Sequence, residues 1–338
     1  MILVLNCGSQ SIKYKLFDSS LKLVKEEKRE IFNLKNFKAC LNEELSKVKN
    51  YAVLSVGHRV VHGGEVFSKP AKLDVKKISA LKKISRLAPL HNPYNILGVE
   101  ACRKVFPRAK QIAVFDTEFF ADLPVSAATY PLPELIRKKY GIKKFGFHGI
   151  SHEYSAKEGA RLSRINFESS KIITCHLGGG ASITAIKNGK AIDTSMGFTP
   201  MEGLVMMTRS GSIDPGVVLL LSKTQRNASD ILNYESGVKG ICGLSDMREV
   251  LEEAERGSKK ARLALDIFVR SAKKYIGAYC AVLGGCDLLV FTGAIGHGSA
   301  KITSMVLENM PMLKNAKISF IKPDEELAIA QKIKNLKI

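Results

Sequence analysis

The chain has 338 residues and a formal net charge of +20, with 45% hydrophobic and 25% charged residues. This length exceeds what one hydrophobic core usually serves, so we expect two domains of an ordinary globular protein. The basic residues are scattered, with no Arg/Lys stripe, helix-turn-helix signature or zinc-ligand spacing. We therefore interpret the charge as a lysine-rich surface that attracts small anions, and not as the mark of a nucleic-acid-binding protein.

The cysteines and the apolar segments indicate a cytoplasmic protein. The seven cysteines include no Cys-x-x-Cys pair, which is typical of reduced thiols in a chain of this length. The first ten residues lack the basic region of a signal peptide. The most apolar window, 280–295, contains an aspartate and several glycines and is too short to span a bilayer. We expect no membrane partner and no nucleic-acid partner.

The first half of the chain alternates short apolar runs with amphipathic segments. Residues 2–5 are apolar, a Gly-Ser turn follows, and residues 11–17 alternate apolar and polar side chains. This pattern predicts a strand, a turn and a second strand. Further strands are predicted over 52–56 and 112–115, and helices over 37–48, 92–105 and 151–162.

The same opening recurs in the second half of the chain. Residues 172–175 are apolar, HLGGG forms the turn, residues 181–186 alternate, and Asn188-Gly189 predicts a hairpin turn. Two copies of one unit indicate a duplicated fold. A long helix over 265–283, strands over 288–291 and 317–321 and a closing helix over 324–333 are predicted next. This alternation of strands and helices predicts an α/β protein.

Three glycine-rich turns follow predicted strands, over 6–11, 176–180 and 292–298. Such turns let backbone N–H groups approach a phosphate because no Cβ stands in the way. None has the Gly-Lys-Ser/Thr end of a P-loop, and none is a GxGxxG turn that opens a helix. Neither a P-loop NTPase nor a Rossmann dehydrogenase is therefore indicated, whereas three such turns are typical of a nucleotide held by two halves of a duplicated fold.

The polar segments carry a more specific signal when they are read together. In chain order they are LNCGSQSIKYKLFD, VGHRVVHGGE, APLHNPYN, VFDTEFF, FGFHGISH, HLGGGASI, DTSMGFTPMEGLVMMTRSGSIDPG, GLSDMRE, VFTGAIGHGS and KPDEELAIA. In wording and order they resemble the acetate kinase family from residue 1 to the last helix. The resemblance implies the fold of actin, hexokinase and Hsp70, with duplicated ribonuclease H-like α/β domains and an interdomain cleft. It implies an N-terminal domain over 1–148 and a C-terminal domain over 149–338 with the nucleotide-binding loops, the last helix being able to return to the first domain.

The resemblance also implies a reaction and its catalytic residues. The family transfers the γ-phosphoryl group of ATP directly and reversibly to acetate, with Mg²⁺ or Mn²⁺, and forms homodimers through the C-terminal domain. Because the transfer brings negative charge against negative charge, Arg, His and the metal must neutralise the transferred oxygens. By resemblance, Arg59 and Arg209 bind the carboxylate and the transferred group. His148 contacts the transferred phosphoryl group, and Asp116 orients the substrate-binding arginine and supports the metal.

The remaining expected site residues bind the substrates and the metal. Besides Arg59, a small apolar acetate pocket is expected from Val61, Leu90, Phe147 and Pro200. The first phosphate loop is matched by Ser9, Ser11 and Lys13, and the metal residues are Asn6 and Glu325, with Glu326 as the alternative to Glu325. The nucleotide residues are Lys13, His176, Gly178, Gly179, Gly180, Asp246, Met247, Arg248, Gly293, Ala294, Ile295 and Gly296. The alternative interpretation of Asp246, Met247 and Arg248 is structural, with Ser245 as the cap of a helix that begins at Asp246.

Two turns depart from the family pattern. The usual HLGNG is HLGGG here, so that Gly179 replaces an asparagine, and the usual GIGEN is AIGHG, with His297 and Gly298 in place of Glu-Asn. Both turns resemble those of butyrate kinase. The alternatives are therefore a propionate or butyrate kinase, a pyrophosphate-dependent relative and a catalytically weak nucleotide-binding relative. The net charge alone motivates an anionic-polymer binder.

Overall fold

The protein is described by a computed structural model that covers residues 1–8, 10–31 and 33–336. The chain divides into two compact units. The first contains Met1–Ala121, His148–Tyr154 and the residues from Asp324 onward, and the second contains Asp122–Phe147 and Ser155–Pro323. The last helix thus belongs to the first unit. The predicted domain boundary after residue 148 lies at the start of the short segment His148–Tyr154, and as a domain boundary it stays a prediction.

Strands and helices alternate along the described chain. The strands are β1 (Ile2–Cys7), β2 (Ser11–Phe17), β3 (Leu23–Glu30), β4 (Ser55–Val60), β5 (Ala71–Lys72), β6 (Lys110–Phe115), β7 (Lys171–Leu177), β8 (Ala181–Lys187), β9 (Lys190–Thr194), β10 (Leu288–Thr292) and β11 (Lys317–Phe320). The helices are α1 (Phe37–Ser46), α2 (Val75–Ile84), α3 (Asn92–Val105), α4 (Val125–Ala128), α5 (Glu134–Tyr140), α6 (Gly149–Leu162), α7 (Pro215–Thr224), α8 (Ala228–Asp230), α9 (Gly237–Cys242), α10 (Met247–Glu255), α11 (Lys259–Leu283), α12 (Gly293–Gly298), α13 (Ala300–Leu307) and α14 (Glu325–Asn335).

The first unit is built on a six-stranded sheet in the order β3-β2-β1-β4-β6-β5. Strands β1, β2 and β3 pair antiparallel, whereas β4 and β6 run parallel to β1. Helices α1 and α3 cover one face, where Leu3, Leu5 and Tyr14 enter the core. Helix α14 covers the other face with Ile329 and Ile333. Both faces of the central strands are therefore buried, as expected for parallel strands in an α/β protein.

The second unit repeats this connectivity. Its sheet has the order β11-β10-β7-β8-β9, in which β7, β8 and β9 pair antiparallel and β10 and β11 run parallel to β7. Read from the antiparallel edge, the five strands follow the same order as β3-β2-β1-β4-β6. The hairpin residues Asn188 and Gly189 have φ of 51° and 76°, the left-handed pair that a type I′ turn requires. The predicted duplicated α/β fold is confirmed.

Two local predictions are wrong. The strand predicted over 52–56 is instead β4, Ser55–Val60, because pairing with β1 and β6 extends it through the polar residues His58 and Arg59, while Leu54 is 71% exposed. The third glycine-rich turn, over 292–298, is the short helix α12. Its first residue, Gly293, has φ of 84°, and a Cβ there would lie 2.4 Å from the Leu177 carbonyl oxygen.

None of the helices in the described ranges has the length and apolarity that crossing a membrane requires.

Candidate active site

Arg59 and Asp116 form an ion pair at one edge of the first sheet. Arg59 lies on β4, and Asp116 directly follows the neighbouring parallel strand β6. Arg59 Nε donates to Asp116 Oδ1 at 3.1 Å, and Nη2 donates to Oδ2 at 2.8 Å. The Asp116 side chain is 2% exposed and that of Arg59 is 18% exposed. This two-point contact fixes the guanidinium plane and leaves Arg59 Nη1 without a partner among the described residues.

The charges around this pair include a second carboxylate. Burial raises the pKa of Asp116; Arg59 opposes this rise, and the nearby Glu325 adds to it. Burial lowers the pKa of Arg59, but the charges of Asp116 and Glu325 outweigh burial and raise it overall. Glu325 therefore lies close enough to act on both members of the pair, and two carboxylates share this edge of the first unit.

His148 is held beside Asp116 by the backbone. His148 has φ of 57°, a left-handed conformation that is uncommon for a residue with a Cβ. The next residue, Gly149, donates its N–H to the Asp116 carbonyl oxygen at 2.9 Å. A Cβ on Gly149 would lie 2.3 Å from that oxygen, so only glycine permits this approach. The start of α6 is thereby fixed against the turn that carries Asp116.

Glu326 anchors the beginning of α14 to the first two strands. Its side chain is 1% exposed, with Oε2 2.6 Å from Lys13 Nζ. Its Oε1 accepts from Asn6 Nδ2 at 3.3 Å. Asp324 caps the helix by accepting from the Leu327 N–H at 2.9 Å. Glu326 thus has a structural role in these two contacts. Both glutamates raise the pKa of Arg59, whereas of the two it is Glu325 that raises the pKa of Asp116.

The first unit offers oxygen ligands for a hard cation. Because Asn6 uses its amide nitrogen on Glu326, its side-chain oxygen is the atom left for a cation. Glu325 and Asp116 supply carboxylates whose mutual repulsion a cation would relieve. Across the described ranges, no three His, Cys, Asp or Glu side chains come together as a metal cage. A sparse site of this kind fits Mg²⁺, which keeps several water ligands.

Two asparagines of α3 hold the loop that follows Arg59. Asn95 Oδ1 accepts from the Val61 N–H at 3.1 Å, and Asn92 exchanges two hydrogen bonds with the backbone of His62. Among the residues expected to form the acetate pocket, Val61 is half-buried, and Leu90 is 43% exposed. Both belong to the first unit. The position of Val61 is therefore set by the Asn95 side chain, for which the sequence alone indicates no role.

The first phosphate loop is only partly described. The Gly8 N–H donates to the Ser11 carbonyl oxygen at 2.9 Å, and this hydrogen bond closes the turn between β1 and β2. Ser11 begins β2 and is half-buried, and Lys13 lies two residues further along that strand. Ser9 lies outside the described residues, so its predicted role stays a prediction.

Arg209 lies in the second unit and differs from Arg59 in its partners. Its Nη1 donates to the Pro200 carbonyl oxygen at 3.3 Å, and no carboxylate pairs with it among the described residues. Burial lowers its pKa. Gly237 packs against this loop, where a Cβ would lie 2.2 Å from the Met206 carbonyl oxygen and 2.6 Å from that of Arg209. A half-buried guanidinium that has no carboxylate partner is well suited to bind an anion.

The second unit contains the other two residues expected in the acetate pocket, Phe147 and Pro200. Phe147 is 1% exposed and forms part of the core of this unit. Pro200 is half-buried and contacts Arg209 through its carbonyl oxygen.

A cavity of about 720 Å³ in the second unit is lined by six of the twelve expected nucleotide residues. This volume lies in the range of ligand pockets. Its lining includes Gly179, Met207, Asp246, Met247, Arg248, Ala294, Ile295, Gly298, Ser299 and Lys301. Gly293 and Gly296 lie in the same helix, α12, and are buried. Residues that are distant in the sequence thus meet at one site.

The HLGGG turn closes on itself next to this cavity. Gly178 donates its N–H to the Gly180 carbonyl oxygen at 3.0 Å, and Met207 donates to the Gly179 carbonyl oxygen at 3.3 Å. His176 precedes the turn on β7 and is half-buried. A Cβ on Gly179 would meet nothing within 4 Å. Glycine is therefore not sterically required at position 179, and an asparagine would fit.

Asp246 is the N-cap of α10, so the structural alternative in which Ser245 is the cap is wrong. Its Oδ1 accepts from the Arg248 N–H at 2.9 Å, and the helix begins at Met247. The Arg248 guanidinium also pairs with the Asp246 carboxylate and lowers the pKa of Asp246 to about 2. The Arg248 side chain is 86% exposed, so the Asp-Met-Arg segment presents an ion pair at the cavity.

Comparisons with known proteins agree with this geometry. The family model described as the acetokinase family matches residues 22–322. A protein named acetate kinase from Sulfurovum sp. (strain NBC37-1) is 44% identical over 339 residues, covering 91% of this chain and 86% of that protein. The crystal structure of acetate kinase from Entamoeba histolytica has a TM-score of 0.91 at 33% identity, with 99% of each chain covered.

A propionate kinase from Francisella tularensis is also similar, with a TM-score of 0.88, 35% identity and 98% of each chain covered. Family model, relatives and solved structures agree over nearly the whole length, and the fold is that of the acetate kinases. The chain belongs to the acetokinase family.

Proposed function

We propose that the protein is an acetate kinase, which transfers the γ-phosphoryl group of ATP to acetate and releases acetyl phosphate and ADP. The observation that carries the proposal is Arg209, a half-buried guanidinium without an acidic partner among the described residues. A buried cation of this kind is costly unless an anion joins it. A substrate carboxylate or a transferred phosphoryl group is such an anion, and the planar guanidinium binds either through two donors.

In the proposed reaction, one acetate oxygen forms a bond to the γ-phosphorus while the bond from that phosphorus to the β–γ bridging oxygen breaks. The electron pair of the broken bond goes to ADP. Arg59 and Arg209 hold the reacting anions, and positioning and charge neutralisation lower the barrier. Asp116 holds the Arg59 guanidinium in one plane through its two-point contact. His148, fixed beside Asp116 by Gly149, donates to the transferred group.

A divalent metal ion, Mg²⁺ or Mn²⁺, fits the oxygen ligands of the first unit. Asn6 and Glu325 are the proposed ligand residues, and Asp116 supports them through its charge. When bound, the ion neutralises charge on the phosphate oxygens. Lys13 is held at 2.6 Å by the buried Glu326, so its ammonium group keeps a fixed place next to the first phosphate loop.

The nucleotide base and ribose are proposed to occupy the cavity of about 720 Å³ in the second unit. Asp246, Met247 and Arg248 line one side of it, and Ala294 and Ile295 line another. The HLGGG turn, with His176 before it, offers backbone N–H groups to the phosphates. Because position 179 has open space, the missing asparagine side chain removes a contact without closing the cavity. A pyrophosphate donor and a weakened enzyme therefore stay as alternatives to be tested.

The acyl group is proposed to be bound by Val61, Leu90, Phe147 and Pro200. Propionate is the second candidate substrate, because the structure of a propionate kinase matches this chain with a TM-score of 0.88. Rates with formate, acetate, propionate and butyrate distinguish the candidates, since each methylene changes transition-state binding by about 1–3 kcal/mol.

A homodimer in the cytoplasm is proposed as the working state. Helix α7 supports it, because PGVVLLLSKT has no buried side chain within the described chain. Leu219 and Leu220 are 63% and 59% exposed. Exposed apolar side chains grouped on one helix are typical of a protein–protein contact.

The test is an acetate-dependent hydroxamate assay with ATP and Mg²⁺, in which hydroxylamine traps acetyl phosphate. We expect turnover by the wild-type protein and a loss of about 100-fold or more in kcat/KM for Arg209→Ala, the order seen when a donor to the transition state is removed. Arg262→Ala, an exposed arginine of the same unit, is the matched control and should keep full activity. If folded wild-type protein forms no acetyl phosphate from ATP, the proposal is refuted, and formation from pyrophosphate instead would support the pyrophosphate-dependent alternative.

A further inference from the structure

One lysine of the last helix lies between two glutamates in the interior of the first unit. Lys332 Nζ is 2.5 Å from Glu118 Oε1 and 2.6 Å from Glu153 Oε2. The three side chains are only 22%, 12% and 17% exposed. Glu118 Oε2 is buried and has no hydrogen-bond partner within the described ranges. The cluster holds two negative charges and one positive charge in a largely desolvated place.

The three side chains come from the three segments that carry candidate catalytic groups. Glu118 follows Asp116 by two residues, and Glu153 follows His148 by five residues on α6. Lys332 follows Glu325 by seven residues on α14, which places both on the same face of the helix.

Packing and hydrogen bonds in the same region link α14 and α6 to the segments that carry Arg59 and Asp116. Ile329 and Ile333, which flank Lys332 on α14, pack on β4 at Gly57, where a Cβ would lie 2.7 Å from Ile329 Cγ2 and 2.5 Å from Ile333 Cδ1. Gly57 is two residues before Arg59. The Gly149 N–H holds the Asp116 carbonyl oxygen at 2.9 Å. A shift of α14 or α6 is therefore passed on to Arg59 and to Asp116.

We propose that Lys332 is a positioning residue for phosphoryl transfer, which fixes the segments bearing Asp116, His148 and Glu325 relative to one another. The inference rests on the proposed function of those three residues. Lys332 is placed to act through the two glutamates, and no step of the transfer is assigned to its own ammonium group. Without it, Glu118 and Glu153 would repel each other, and the desolvated Glu118 carboxylate would lose its cation.

The test compares Lys332→Met, Lys332→Arg and Lys334→Met in the hydroxamate assay. Lys334 is an exposed lysine on the same helix and is the matched control. For Lys332→Met, we expect kcat to fall roughly 10- to 100-fold, as for small misplacements of reacting groups, with a smaller change in KM for ATP. Arginine should restore a large part of kcat because it keeps the charge, and Lys334→Met should match the wild type.

Hydrogen–deuterium exchange of the same proteins gives a readout that does not need activity. We expect faster exchange in Lys332→Met over residues 115–120 and 148–154, at temperatures well below its unfolding transition. An unchanged kcat in folded Lys332→Met, or an arginine variant no better than methionine, would overturn the proposal. If wild-type protein has no kinase activity, the proposed function fails, and unchanged exchange in both segments would separately overturn the role of Lys332 as their anchor.

Discussion

At the scale of single residues, the two candidate catalytic arginines, one in each unit, differ in how their charge is balanced. Arg59 is bound by Asp116 at 2.8 Å, whereas the recorded contacts of Arg209 are a carbonyl oxygen and a sulfur atom. Arg59 is thus oriented before any substrate binds, and Arg209 depends on an incoming anion for its charge balance. An arginine oriented in advance and an arginine that lacks a countercharge both suit a reaction in which two anions must be brought together.

Asp116→Asn tests the orienting role of this carboxylate. The change keeps the shape of the side chain but leaves the largely buried Arg59 without a countercharge, so we expect unfolding free energy to fall by about 3 kcal/mol. We also expect kcat to fall with it. Urea unfolding and the hydroxamate assay measure the two effects. The matched change Asp122→Asn, at an exposed position, should alter neither. Wild-type activity in Asp116→Asn would contradict the assigned role.

Two buried histidines make stability depend on pH. Burial lowers the pKa of His58 and of His62 from 6.5 to about 4. Between these values the unfolded chain binds more protons than the folded one, so stability is lost as the pH falls from about 6.5 to about 4. Each group contributes about 1.4 kcal/mol per pH unit at most. His58→Gln should flatten this slope in urea unfolding between pH 7 and pH 4.5, and an unchanged slope would show that His58 does not titrate as described.

At the scale of secondary-structure elements, the docking of α14 on β4 joins the last helix to the first sheet. Gly57 leaves room for Ile329 and Ile333, and Glu326 and Asp324 bind Lys13 and Lys15 at 2.6 and 2.7 Å. The helix is therefore held by a packed apolar face and by two ion pairs at its N-terminal end.

Gly57→Val should push α14 away from the sheet. The added side chain overpacks a full core, which typically costs about 1–3 kcal/mol, and it should reduce activity because Glu325 moves with the helix. Thermal unfolding and the hydroxamate assay measure both. Gly277→Ala is the control, since it lies inside α11 with nothing within 4 Å of the added Cβ, and it should stabilise the helix by up to about 1 kcal/mol. A fully active and stable Gly57→Val would refute this view of the docking.

Hydrophobic periodicity predicts most of the strands and helices. It fails where strand pairing or capping hydrogen bonds decide at which residue an element begins. The helix over 92–105 is found at those residues, because its apolar spacing is regular. The strand that contains Arg59 begins three residues later than the predicted strand over 52–56, since a central strand can carry polar residues whose backbone pairs with neighbouring strands. Likewise, the cap of α10 is Asp246, and a choice between adjacent polar residues depends on backbone geometry that the sequence does not display.

At the scale of the whole molecule, the duplication was predictable because each copy repeats a strand, a glycine-rich turn and an amphipathic strand. The partners of the site residues were not. The pairing of Glu326 with Lys13 and that of Lys332 with Glu118 and Glu153 join positions more than 170 residues apart. No local pattern marks such contacts, and they follow only from the return of the last helix to the first sheet.

The proposed homodimer can be tested on α7. Leu219→Glu with Leu220→Glu places charge on the exposed apolar helix, and we expect a shift from dimer to monomer in light scattering after size exclusion. Leu54→Glu, which changes a leucine that is 71% exposed in the first unit, should leave the dimer intact. A wild-type monomer at micromolar concentration, or a dimer that survives the double change, would remove α7 as the contact.

The most direct test of the central claim follows phosphorus by NMR in a mixture of purified protein, ATP, acetate and Mg²⁺. We expect acetyl phosphate and ADP to appear in equal amounts as ATP is consumed, with this conversion slowed about 100-fold or more in Arg209→Ala and unchanged in Arg262→Ala. ATP that stays intact in the presence of folded wild-type protein and acetate, or ADP released with free phosphate and no acetyl phosphate, would contradict it.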